Sequence, residues 1–162
     1  MNIEKTIEQV RDIPYQIPLT LDDKAVDCAK KHEMLAELLR EEGVEVRFRV
    51  CSFLWSEQEI PQRILDIQHV DSCEHLFLEV FSNDKWLTLD ISWDIKLKNL
   101  FKIAEWDSEK GTEISVEPVK IYPVGNDGEL RHNETEESFL KDIKDNGEFY
   151  QAINEWLESE RI

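Results

Sequence analysis

Residues 75–92 read H-L-F-L-E-V-F-S-N-D-K-W-L-T-L-D-I-S, two β-like runs on either side of Asn83-Asp84. A dipeptide of Asn and Asp between such runs is rich in turn character. If Ser82 pairs with Lys85, every further pair is set, with Phe77 opposite Asp90 and His75 opposite Ser92. Successive side chains alternate faces, so His75, Phe77, Glu79 and Phe81 share one face with Trp86, Thr88, Asp90 and Ser92. The other face carries Leu76, Leu78, Val80, Leu87, Leu89 and Ile91, all apolar. A slip of one residue would turn that apolar set to the wrong side, so the register is well determined. His75 and Asp90 become diagonal neighbours, roughly 7–8 Å apart at the backbone and within reach of each other's side chains.

Upstream, Ala25, Cys28, His32, Leu35 and Leu39 recur at three- and four-residue steps, and Gly43 supplies a stop. The pattern predicts a helix from about residue 23 to residue 42, capped by Asp22 or Asp23. Cys28 then lies in the first turn or two, where unpaired N–H groups and the helix dipole favour a thiolate. The charge of Asp27 opposes this if it lies near the sulfur, and an imidazolium at His75 restores it. His32, one turn after Cys28, is expected to pack or hydrogen-bond in the core, because no acid is placed to orient it as a base.

Cys28, His75 and Asp90 in their settings resemble the transglutaminase-like superfamily. In that family the nucleophilic cysteine opens a helix, and a glycine and then an arginine follow its end. Here Gly43 and Arg47 stand fifteen and nineteen residues after Cys28. The family histidine begins a strand of the form H-x-x-x-E-V, matched by residues 75–80, and its aspartate ends W-x-x-L-D, matched by residues 86–90. The likeness covers residues 23–94. It implies a papain-like α+β core, with the cysteine helix packed on an antiparallel sheet, and a triad of Cys28 as nucleophile, His75 as base and Asp90 as orienter. The implied chemistry is attack on an amide or peptide carbonyl through a thioester, with no cofactor. Ile91 and Ser92 stand where the family usually has proline and threonine after the aspartate. No tryptophan precedes Cys28, so the tryptophan that assists the oxyanion in crosslinking members has no counterpart, which points to hydrolysis. Trp55, Phe77 and Trp86 are the aromatic candidates for substrate binding. A non-catalytic protein-binding module on the same scaffold is the alternative.

The 19 basic and 36 acidic residues leave a formal charge of −17, which repels phosphate backbones and anionic membranes. That charge suits a basic substrate or partner, and solubility alone accounts for it as well. A chain of 162 residues fits one domain, and 41% hydrophobic residues can build its core. No apolar stretch is long enough to span a bilayer, and three cysteines without close pairing fit a reducing cytoplasm. Cys51, His69, Cys73 and His75 lack the knuckle spacing of a zinc site, so no metal is expected.

Elsewhere the pattern predicts a short helix within residues 1–13 and a strand from Val44 through Cys51. The stretch 56–74, with weak periodicity and Pro61, reads as a long connection of the kind that borders a groove. One or two strands are expected within 114–124, a turn at 125–128 and one or two acidic helices over 135–160. Strands flanked by terminal helices without regular alternation give an α+β class.

Overall fold

The computed structural model describes residues 2–162, excepting the side chains of residues 131–133. In chain order the elements are α1 (Ile3–Arg11), α2 (Cys28–Glu41), β1 (Val46–Leu54), α3 (Gln62–Leu65), β2 (Ser72–Ser82), β3 (Lys85–Leu89), β4 (Pro118–Ile121), α4 (Asp127–Asn133) and α5 (Glu136–Glu160). The strands form one antiparallel sheet in the order β3-β2-β1-β4, and the class is α+β.

The hairpin follows from its turn. Asn83 and Asp84 both take left-handed backbone angles, φ 50° and 62°. Two such residues match the right-handed twist of the flanking strands, and Asn and Asp tolerate them best after glycine. Pairing then runs from Ser82↔Lys85 to Leu78↔Leu89, the register the turn requires. The apolar face of the hairpin packs against Ile7 and Val10 of α1 and Leu35, Ala36 and Leu39 of α2, with Val46, Phe48 and Val50 of β1 beside it. Burying one large aliphatic side chain is worth roughly 1.5–3 kcal/mol. A register slip that exposed six of them would cost about 9–18 kcal/mol, as much as the whole net stability of a typical domain.

A second cluster lies along α5. Phe149, Tyr150, Ile153, Trp156 and Leu157 pack with Tyr15, Ile17, Ile64 and Leu97. Thr135 and Ser138 close a reciprocal capping box at the start of α5, which runs unbroken for 25 residues. Cys28 is packed at the border of this second cluster, although its own helix lies on the first.

Several boundaries differ from the sequence reading. Helix α2 begins at Cys28, five residues later than expected, because Asp27 caps it through the Lys30 N–H at 3.0 Å. Asp23 instead closes a turn, accepting from the Leu19 and Ala25 N–H groups, and Val26 forms a parallel bridge with Tyr15. Strand β2 starts three residues before His75, and β3 ends one residue short of Asp90. The strand character expected within 114–124 condenses to β4, and the turn expected at 125–128 leads directly into α4. Among the described residues no helix is long and apolar enough to cross a membrane.

Candidate functional site

Past the end of β3 the chain turns, and the Asp90 N–H is taken by the Thr112 hydroxyl at 2.9 Å. The carboxylate of Asp90 meets His75 there, with Nε2 to Oδ2 at 2.6 Å. Both side chains are buried. Asp90 is fully satisfied by donors. Oδ2 also accepts from the Ser115 N–H at 2.8 Å, and Oδ1 accepts from the Ser92 hydroxyl at 2.7 Å and the Ser92 N–H at 3.2 Å.

A buried acid needs such partners to stay ionised. Burial pushes the Asp90 carboxyl up, but the His75 imidazolium and its hydrogen bond outweigh this and hold it well below the usual carboxylate range. Burial likewise pulls the His75 imidazole down, yet the charge of Asp90 and then Cys28 keep it well above its ordinary value. Cys28 lies close enough to that imidazole to help raise it. With Nε2 committed to Asp90, Nδ1 is the ring nitrogen left for other partners. Phe77 stacks on the other flank of the ring, 6.0 Å between centroids and 17° from parallel.

Cys28 is the first residue of α2, with Asp27 as its cap, so its N–H is among those left over at a helix start. His32 lies one turn later and is wholly buried. Its Nδ1 is 2.7 Å from the Cys28 carbonyl, and its Nε2 accepts from the Ile91 N–H at 3.0 Å. A backbone N–H can only donate, so the ring carries its proton on Nδ1 and is neutral. Burial accounts for this first, lowering the imidazole to about 4 against the opposing pull of Asp90. With both nitrogens bonded, His32 has no lone pair free to act as a base. Beside it, buried Lys31 donates to the carbonyls of Arg11 and Ser92 at 2.7 and 2.9 Å. Two adjacent side chains of α2 thus hold the segment after Asp90 against the helix that carries Cys28.

Cys28, His75 and Asp90 line one cleft of about 1750 Å³, whose wall also includes Trp55, Tyr15, Trp93 and Tyr150. Of the aromatic candidates from the sequence, Trp55 lies in this wall. Phe77 and Trp86 do not. Phe77 is buried under the imidazole, and Trp86 sits at the far end of the hairpin, under the Arg47 guanidinium at 4.1 Å. Arg47, the residue after the helix that fitted the family pattern, pairs with Glu79 at 2.7 Å. Cys51 stands opposite His75 on β1 and is buried, which pushes its thiol up to about 11, and burial raises Cys73 further.

Sequence reasoning passed over Ser115, Thr112, Lys31 and Tyr15, and it left His32 without named partners. Ser92 had a readable signal, since it shares a face with Asp90 two residues away. Ser115 and Thr112 had none, because they come from a segment without periodicity. Among the described residues no three His, Cys, Asp or Glu side chains converge in a way that would hold a metal ion. No family model, curated protein or solved structure matches the chain.

Proposed function

We propose that this chain is a transglutaminase-like, papain-type cysteine enzyme that acts on amide or peptide carbonyls. The observation that carries the reading is the 2.6 Å bond between His75 Nε2 and Asp90 Oδ2, made on an imidazole that shares one cleft with a cysteine at a helix start. Nucleophile, base and orienter are the parts acyl transfer requires.

The residues divide the work as follows. Asp90 holds the imidazole in one orientation and stabilises its protonated form. The imidazolium in turn is the cation against which the Cys28 sulfur reacts. The sulfur attacks the carbonyl carbon, forming the S–C bond while the π pair moves to oxygen, and the Cys28 N–H donates to that oxyanion. As the intermediate collapses, the C–N bond breaks and His75 gives its proton to the departing amine. Neutral His75 then takes a proton from water, which attacks the thioester. The carboxylic acid leaves and the thiolate returns.

Ligand pockets for small molecules usually hold about 300–1,000 Å³. The cleft here is about 1750 Å³ and suits a length of peptide better than a small amide. Water is the favoured acceptor, because no second aromatic-walled channel for an amine is evident among the described residues. The test is incubation with a short-peptide library, glutamine-containing members included, together with a labelled primary amine, read by mass. Hydrolysis products that vanish in Cys28→Ala support the proposal. Dominant amine incorporation would change the acceptor, and neither product from any peptide would favour a binding module.

A further inference from the structure

The chemistry above uses one oxyanion donor, the Cys28 N–H, and acyl transfer gains much of its rate from a second. Tyr15 stands out among the residues of the cleft wall. Its backbone is fixed at both ends by a buried ion pair: the Tyr15 N–H donates to Asp94 Oδ2 at 3.1 Å, and its carbonyl accepts from Arg161 Nη2 at 2.7 Å. Arg161 and Asp94 are themselves 3.1 Å apart and nearly sealed from water. The Gln16 N–H donates to the Val26 carbonyl at 3.0 Å, which ties this segment to the chain two residues before Cys28. The ring packs edge-on against Trp93 at 5.0 Å.

So much fixation serves a side chain whose hydroxyl bonds to nothing among the described residues. Tyr15 is only 7% exposed. Yet its oxygen is not sealed in, since among the described residues the sealed side-chain atom without a partner is Arg49 Nε. The hydroxyl therefore keeps some access to solvent, on a residue that lines the same cleft as Cys28 and His75. The other tyrosine of the wall, Tyr150, is committed to Asp142 at 2.8 Å.

Resting on the acyl-transfer reading, we infer that the Tyr15 hydroxyl is the second oxyanion donor, held ready beside the Cys28 N–H. It gives a hydrogen bond and no proton: the S–C bond forms, the carbonyl pair moves to oxygen, and the phenol stays intact throughout. Burial, with Cys28 and Asp27 nearby, pushes the phenol well above its usual range and so keeps the donor protonated.

Two reactions of the same thiol separate this role from others. Acetylation by p-nitrophenyl acetate passes through an oxyanion, whereas alkylation by iodoacetamide is a direct displacement at carbon and does not. In Tyr15→Phe, acetylation of Cys28 should slow by about 10²-fold, the order found for loss of one such donor, with alkylation unchanged. Phenylalanine keeps the ring and both backbone bonds and removes a hydroxyl without a protein partner, so the melting temperature should hold. Equal slowing of both reactions would mean that Tyr15 acts on the thiol, and no slowing of either would mean that it has no role; both overturn the inference. If the wild-type protein alkylates but never acetylates at Cys28, the acyl-transfer reading falls first and the inference with it.

Discussion

The Ile91 N–H donates to His32 Nε2 over 3.0 Å, and this bond exists only while His32 is neutral. Protonation would set a second N–H against the first and add a buried cation beside His75 and Lys31, which the charge of Asp90 and the bond to the Cys28 carbonyl offset only in part. An unfolded histidine titrates near 6.5, and His32 in the fold near 4. Its folded value is depressed, so the unfolded chain binds more protons in that window and stability falls as pH drops from 6.5 towards 4.

His32→Gln removes this titration. At pH 7 the variant should be less stable than wild type by about 1–3 kcal/mol, the cost of disturbing buried hydrogen bonds. Urea unfolding at pH 7 and pH 4.5 should show that gap shrinking by about 2–3 kcal/mol at the lower pH. Asp90, with its depressed carboxyl, adds acid lability below about pH 4 in both proteins and so cancels in the comparison. A gap that does not change with pH would mean that His32 titrates in the fold as it does in the unfolded chain.

Asp90→Asn tests the orienting acid. The amide keeps an oxygen for the Ser92 or Ser115 donors but loses the charge that holds His75 protonated. Proton NMR of the His75 ring should show its titration move down towards the ordinary range, with the far-ultraviolet circular dichroism preserved. Any thiol-dependent turnover should fall by about 10²–10⁴-fold. An unchanged His75 titration would assign Asp90 to structure alone.

Gly111 carries the segment that delivers Ser115 to Asp90. It has φ +69°, and a Cβ there would run into the Thr88 carbonyl oxygen, which already accepts from the Thr112 N–H at 2.8 Å. Gly43 has φ +80° and open space around it. Gly43→Ala should therefore cost only the left-handed backbone term of about 1–2 kcal/mol. Gly111→Ala should cost clearly more by urea unfolding, and should also depress turnover by shifting Thr112 and Ser115. Equal losses in the two variants would mean that the 107–115 segment yields freely.

The hairpin was readable because three signals agree: the Asn83-Asp84 turn, the apolar alternation and the parity of the strand. That agreement sufficed to bring His75 to Asp90. The start of α2 was misplaced because Asp22, Asp23 and Asp27 are all good caps, and only the Tyr15↔Val26 bridge decides among them. Face parity placed Phe77 and Trp86 beside His75 and Asp90, but parity does not tell a covered face from an open one. Phe77 lies beneath the ring, and Trp86 is covered by Arg47. Thr112 and Ser115 reach Asp90 from more than twenty residues away through a loop, where no local pattern records the contact.

The central claim is that Cys28 is a nucleophile activated by the His75–Asp90 pair. Iodoacetamide labelling of the native protein at pH 7, followed by peptide mapping, tests it without any knowledge of the substrate. Cys28 should be modified well ahead of Cys51 and Cys73, whose thiols burial pushes up. In His75→Ala its rate should fall by at least about tenfold, since the imidazolium that favours the thiolate is gone. Labelling of Cys28 no faster than the other two, or at the same rate without His75, would contradict the account.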